Sequence, residues 1–94
     1  MKNCIAERQL MFAPKGSSER RMFAIRIGTP YWVDNDEARC PVELDGLPLK
    51  EKISDAPGMD LMQALELAIN IDSLLRKLRN KYDFYWPTGE PYFD

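Results

Sequence analysis

A chain of 94 residues has room for one hydrophobic core and not for two, and its 45% hydrophobic and 30% charged residues exclude an intrinsically disordered segment. A formal charge of −2 and a pI near 5.1 weigh against a protein built to hold nucleic-acid phosphates. No run reaches the roughly 18 apolar residues that cross a bilayer, and charge interrupts the first residues before a signal-peptide core can form. The expected product is one cytoplasmic domain, residues 1–94, with no membrane contact.

The total conceals a segregated pattern. Residues 1–27 carry +4, residues 28–60 carry −5, residues 61–82 carry +2 and residues 83–94 carry −3. An acidic middle can steer a basic partner, or it can be ordinary solvated loop.

Along the chain, Ile5 to Phe12 meets no helix stop and ends at the breaker cluster Ala13-Pro14-Lys15-Gly16-Ser17-Ser18, which predicts a strand and a hairpin loop. Arg21 to Ile27 alternates, with Phe23, Ile25 and Ile27 on one side, as a half-buried strand does. Gly28-Thr29-Pro30 interrupts it, Tyr31-Trp32-Val33 resumes a β-prone run, and Asp34-Asn35-Asp36-Glu37 supplies turn chemistry. The second strand is therefore expected to bend there. A third strand from Arg39 to Asp45 would turn Cys40, Val42 and Leu44 inward, with Pro41 marking an edge or bulge. Leu49 to Ser54 is the weakest strand of the set.

The helix signal is stronger. Asp60 stands at the N-cap and Gln63 completes a capping box; Leu61, Ala64, Leu65, Ala68, Ile71, Leu75, Leu78 and Tyr82 then follow at spacings of three and four. Asp72 and Arg76 are spaced as an ion pair. These features predict one long helix over about 60–82. Met62, Leu67, Ile69 and Leu74 widen its apolar surface, so either the sheet wraps it broadly or a partner covers part of it. Phe84 to Trp86 is read as a last strand or extended segment. The fold class is α+β, an antiparallel sheet of three to five short strands packed against that helix.

Chemistry finds little foothold. The absence of histidine removes the commonest general base and every histidine-dependent triad, and neither Cys4 nor Cys40 has a recognisable activating neighbour. Both cysteines are expected as reduced, small core residues. Asp34, Asp36 and Glu37 read as a turn, and the calcium-loop pattern of glycine and distal glutamate is missing. The glycines form no phosphate loop. No cofactor or metal is expected, and no enzyme. Lys15, Arg20, Arg21 and Arg26 are the candidates for RNA contact, a minor alternative.

Aromatic residues stand among acids. Tyr31 and Trp32 precede Asp34, Asp36 and Glu37, and Tyr85 and Trp86 follow Asp83; these seven, Tyr31, Trp32, Asp34, Asp36, Glu37, Tyr85 and Trp86, are the candidate partner-binding residues, although the area each tryptophan buries favours a place in the core for Trp32 and Trp86. Tyr92 and Phe93 are expected at the surface or on a partner.

The run Gly58-Met59-Asp60-Leu61-Met62-Gln63-Ala64, with Ile5-Ala6-Glu7-Arg8, the strand ending at Pro30, and Cys40-Pro41 before Asp45-Gly46-Leu47, resembles a family of short bacterial proteins known as a domain of unknown function. The resemblance covers about Ile5 to Trp86 and implies a fold with almost no mechanism. By size, acidity and lack of catalytic groups the chain is also similar to immunity proteins, which neutralise a toxin by occluding its active cleft. That likeness implies a basic toxin domain as partner. A homodimer using Met62, Ile69 and Leu74 is the alternative.

Overall fold

The computed structural model describes residues 3–49 and 53–93. Its first sheet grows from a long hairpin. β1 (Cys4–Pro14) and β2 (Arg21–Gly28) pair antiparallel from Cys4 opposite Gly28 to Phe12 opposite Arg21. Gly16, at φ 83°, takes the left-handed turn conformation that glycine adopts without strain, and the Ser17 amide donates to the Pro14 carbonyl.

The alternation read in the sequence sets the two faces. Leu10 and Phe12 of β1 and Phe23, Ile25 and Ile27 of β2 are buried. On the opposite face Arg26 lies across from Glu7 and Glu43, donating to Glu7 through Nε at 2.8 Å and through one terminal nitrogen to Glu43 at 3.1 Å and Asp45 at 2.8 Å.

The third strand expected over Arg39 to Asp45 is instead two strands. Pro41 has no N–H to give a ladder, and the chain changes sheet there. β3 (Tyr31–Trp32) pairs with β4 (Ala38–Cys40), while β5 (Val42–Asp45) returns to β2. The Pro41 carbonyl accepts from the Gly28 amide at the crossing. β3 is thus no bent continuation of β2 but the edge of a second sheet. The strand expected over Leu49 to Ser54 is not found at Leu49, Ile53 or Ser54, and its middle lies outside the described residues. β6 (Ala56–Gly58) takes the place beside β4.

The single long helix is corrected to two. α1 (Leu61–Ile69) and α2 (Ile71–Lys77) part at Asn70, whose ψ of 58° leaves the helical region and whose amide turns to the Leu67 carbonyl. Asparagine tolerates such a break, because its side chain competes for backbone bonds. The apolar spacing runs through it undisturbed: Ala64, Ala68, Ile71 and Leu75 are buried in one line. The helix ends at Lys77, with Leu78 as its C-cap, short of Tyr82, which instead opens the last strand, β7 (Tyr82–Tyr85). β7 pairs with Met11–Pro14 and completes the order β5-β2-β1-β7 beside a three-stranded β3-β4-β6 sheet.

The cap matches its expectation closely. Asp60 Oδ1 accepts from the Gln63 amide at 2.7 Å, and Gln63 Oε1 reaches back to the amide of Met59 rather than that of Asp60. α1 lies on β4 and β6 so closely that a methyl group on Gly58 would stand 2.3 Å from the Ala64 nitrogen. No helix among the described residues is long and apolar enough to cross a membrane.

Candidate protein-binding surface

β3 and β4 form a short hairpin whose tip is closed by its own acids. The Val33 amide donates to the Glu37 carbonyl at 2.8 Å, and Asp34 Oδ1 accepts from the Asp36 amide at 2.8 Å, an Asx turn. Glu37 takes the Arg39 guanidinium at 2.7 Å. Tyr31 is fixed from outside the hairpin, its hydroxyl donating to the Asp55 carboxylate, a bond that raises the phenol above its usual range. Asp55 has no sequence signal for that role.

These bonds hold the backbone of the tip and leave its side chains outward. Trp32 is 51% exposed and Val33 50%, and together with Asp34 and Asn35 they line an open hollow. An indole held at half exposure on a fixed hairpin is costly to leave in water, at about 25 cal/mol per Å² of apolar surface. Trp32 is therefore not the core residue that its size allowed. Val33, passed over as part of a β-prone run, belongs with it. Its only signal was adjacency.

Tyr85 and Trp86 sit elsewhere and in opposite electrostatic company. Tyr85 ends β7 in the first sheet and Trp86 follows it, whereas the tip belongs to the second sheet. Arg20 lies over the Tyr85 ring at 3.7 Å, and Arg8 lies over Trp86 at 5.4 Å. The seven candidate residues are thus two groups, five acidic-aromatic at the tip and two beneath arginines. Sequence neighbours of these aromatics are acidic; spatial neighbours are not. Arg8, Arg76 and Arg79 were missed for that reason.

Tyr92 and Phe93 also depart from expectation. The tail folds back, with the Trp86 amide donating to the Glu90 carbonyl and the Tyr92 amide to the Phe84 carbonyl. Phe93 packs on Phe84, and Tyr92 packs on Trp86 with ring centroids 4.8 Å apart. The Tyr92 hydroxyl donates to Asp72 and accepts from Arg8 at 2.8 Å, so Asp72 is not paired with Arg76 as its spacing suggested. Both tyrosine and phenylalanine are partly covered by their own chain.

Of the four basic residues considered for RNA, Lys15 bonds Asp83 at 2.7 Å, Arg21 bonds Glu19 at 3.0 Å, Arg26 holds three carboxylates and Arg20 stacks on Tyr85. The cysteines divide: Cys40 is buried, with burial raising its thiol, and Cys4 is exposed rather than in the core. Both are free. Among the described residues, no group of three or more cysteine, aspartate or glutamate side chains is placed to hold a metal ion.

No curated protein and no solved structure matches the chain. The model of a domain of unknown function, DUF6968, matches residues 6–87, from the start of the long hairpin to the turn after β7. On that match, spanning both sheets and both helices, the chain belongs to the DUF6968 family.

Proposed function

We propose that this chain is a non-catalytic protein-binding domain whose working surface is the β3–β4 hairpin tip, and that its partner is a basic protein domain. The observation that carries the reading is Trp32 and Val33, each about half exposed, on a hairpin fixed by its own hydrogen bonds and bordered by Asp34 and Asp36. A rigid aromatic anchor loses little entropy on docking, and carboxylates beside it raise the encounter rate with a basic surface. The most specific form is an immunity protein: a cytoplasmic inhibitor that inserts the tip into the basic cleft of a cognate bacterial toxin. Tyr85 and Trp86 fall outside this surface.

The test is affinity capture from the native cell at low salt with the wild-type chain and with a Trp32→Ala/Asp36→Asn variant. The reading expects a stoichiometric basic protein that the wild type retains and the variant loses, and whose toxicity the wild type suppresses on coexpression. Equal retention by both chains would refute it.

A second reading is self-association through α1, supported by Met62 at 74% and Ile69 at 56% exposure, with Leu74 on α2 mostly covered. It expects Met62→Lys/Ile69→Lys to abolish a dimer seen by light scattering.

A further inference from the structure

The acidic tip has a counterpart on the same molecule. Arg8, Arg20, Arg76 and Arg79 each lie over an aromatic ring, and none of the four pairs with a carboxylate among the described residues. Arg76 and Arg79 share the Phe93 ring, at 4.7 and 4.8 Å from its centroid. Ring contact orients a guanidinium without neutralising it. Two like charges are therefore held against one ring, and a guanidinium so held can still take a carboxylate in paired hydrogen bonds. Asp72, on the same helix, is engaged by the Tyr92 hydroxyl. Trp86, at 37% exposure beside Arg8, adds apolar surface to this face.

Strand register keeps the two surfaces apart. The β3–β4 hairpin leaves the first sheet after Gly28, which lies opposite Cys4. β7 runs from Tyr82 opposite Pro14 to Tyr85 opposite Met11, and Trp86 beyond it lies against Arg8, on the other side of the sheet order from the strand that leads to the hairpin. The molecule measures 47 × 25 × 23 Å. Its acidic tip and its arginine face are complementary, and one chain cannot bring its own pair together. Two chains can.

The geometry points to head-to-tail self-association, in which the hairpin tip of one copy, Trp32 with Asp34 and Asp36, docks on Arg76, Arg79 and Trp86 of another. This inference rests on the tip being a docking surface and names a second copy as its occupant. Such contacts are heterologous. Each complex keeps one free tip and one free arginine face, so assembly lengthens with concentration instead of stopping at two. It weakens with salt, because its charges meet across a solvent-exposed rim. A basic partner protein competes for the same tip.

Light scattering over a concentration series at low and high salt tests this with three chains: wild type, a tip variant (Trp32→Ala/Asp36→Asn) and a face variant (Arg76→Glu/Arg79→Glu). Wild type is expected to rise well above the 10.9 kDa of one chain at low salt and to fall back at high salt. Each variant alone is expected to stay at one chain, with self-association weakened about tenfold or more. Mixed, the two variants are expected to form a one-to-one complex that grows no further, because the tip variant keeps its face and the face variant keeps its tip. Circular dichroism checks folding, and Arg79→Gln alone serves if the double reversal unfolds.

A wild-type chain that remains monomeric at low salt overturns the inference. So does an association that neither variant weakens, which would place the seam elsewhere, as on α1. So does a mixture that stays monomeric. Failure of the docking reading itself is distinguishable, because it shows as a captured partner that binds the tip variant as well as the wild type.

Discussion

Cys40 and Cys4 are of one type and differ in environment. Cys40 is fully buried in the core, its thiol donating to the Gly28 carbonyl at 3.3 Å, and burial disfavours the thiolate that reacts. Cys4 is exposed at the start of β1. A thiol reagent at neutral pH is expected to modify one cysteine per chain rapidly and the second only on unfolding; two rapid reactions would place Cys40 outside the core. Tyr92 gives a second residue-scale prediction. Burial first, and then the Asp72 carboxylate, raise its phenol above the ordinary value, so the folded chain favours the neutral form. Stability from this group is complete below the ordinary tyrosine pKa of about 10 and is lost as pH rises through the folded value. Tyr92→Phe is expected to cost about 0.5–1.5 kcal/mol near neutral pH, for the lost bonds to Arg8 and Asp72, and to flatten the alkaline decline measured by denaturant titration. At this scale the sequence speaks through composition: a cysteine suits a core, but nothing local says that only Cys40 reaches it.

The cap and the apolar line of the helices were legible because their signals are local. Asp60 and Gln63 lie within one turn, and Ala64, Ala68, Ile71 and Leu75 share one face whether or not the helix is continuous. The same spacing hid the break at Asn70, since a single non-helical residue does not shift the phase of the stripe. The strands show the complementary limit. Alternation identified β2 and its buried face, yet Cys40, Val42 and Leu44 alternate equally well in one strand or in two strands of different sheets. Pro41 signalled an interruption, and only the pairing of β4 with β6 shows where the chain goes. That pairing makes Gly58 indispensable: Gly58→Ala drives a methyl into the backbone of α1, and a loss of about 1–3 kcal/mol is expected in thermal or denaturant unfolding. Asp60→Ala is expected to cost about 1 kcal/mol by removing the cap. An unchanged midpoint for Gly58→Ala would mean that β6 and α1 are not packed as described.

At the scale of the whole molecule, charge along the sequence and charge in space disagree. The acidic middle survives folding as the hairpin tip, because Asp34 and Asp36 lie within a few residues of Trp32 and the turn keeps them together. The acidic tail does not, because arginines from β1, α2 and the loop before β2 converge on its rings across as many as 84 positions of sequence. Half of the candidate surface could therefore be read from neighbours in the chain, and the other half required the fold. What results is an elongated domain that carries an acidic aromatic tip and, apart from it, an arginine-aromatic face. The reading of the tip as a docking surface is tested by hydrogen–deuterium exchange of the chain, free and bound to its captured partner, at a concentration where the free chain is monomeric. New protection is expected to concentrate in Tyr31–Glu37, with the amides of Leu61–Lys77 unchanged. Protection confined to the helices, with Tyr31–Glu37 exchanging as in the free chain, would contradict it.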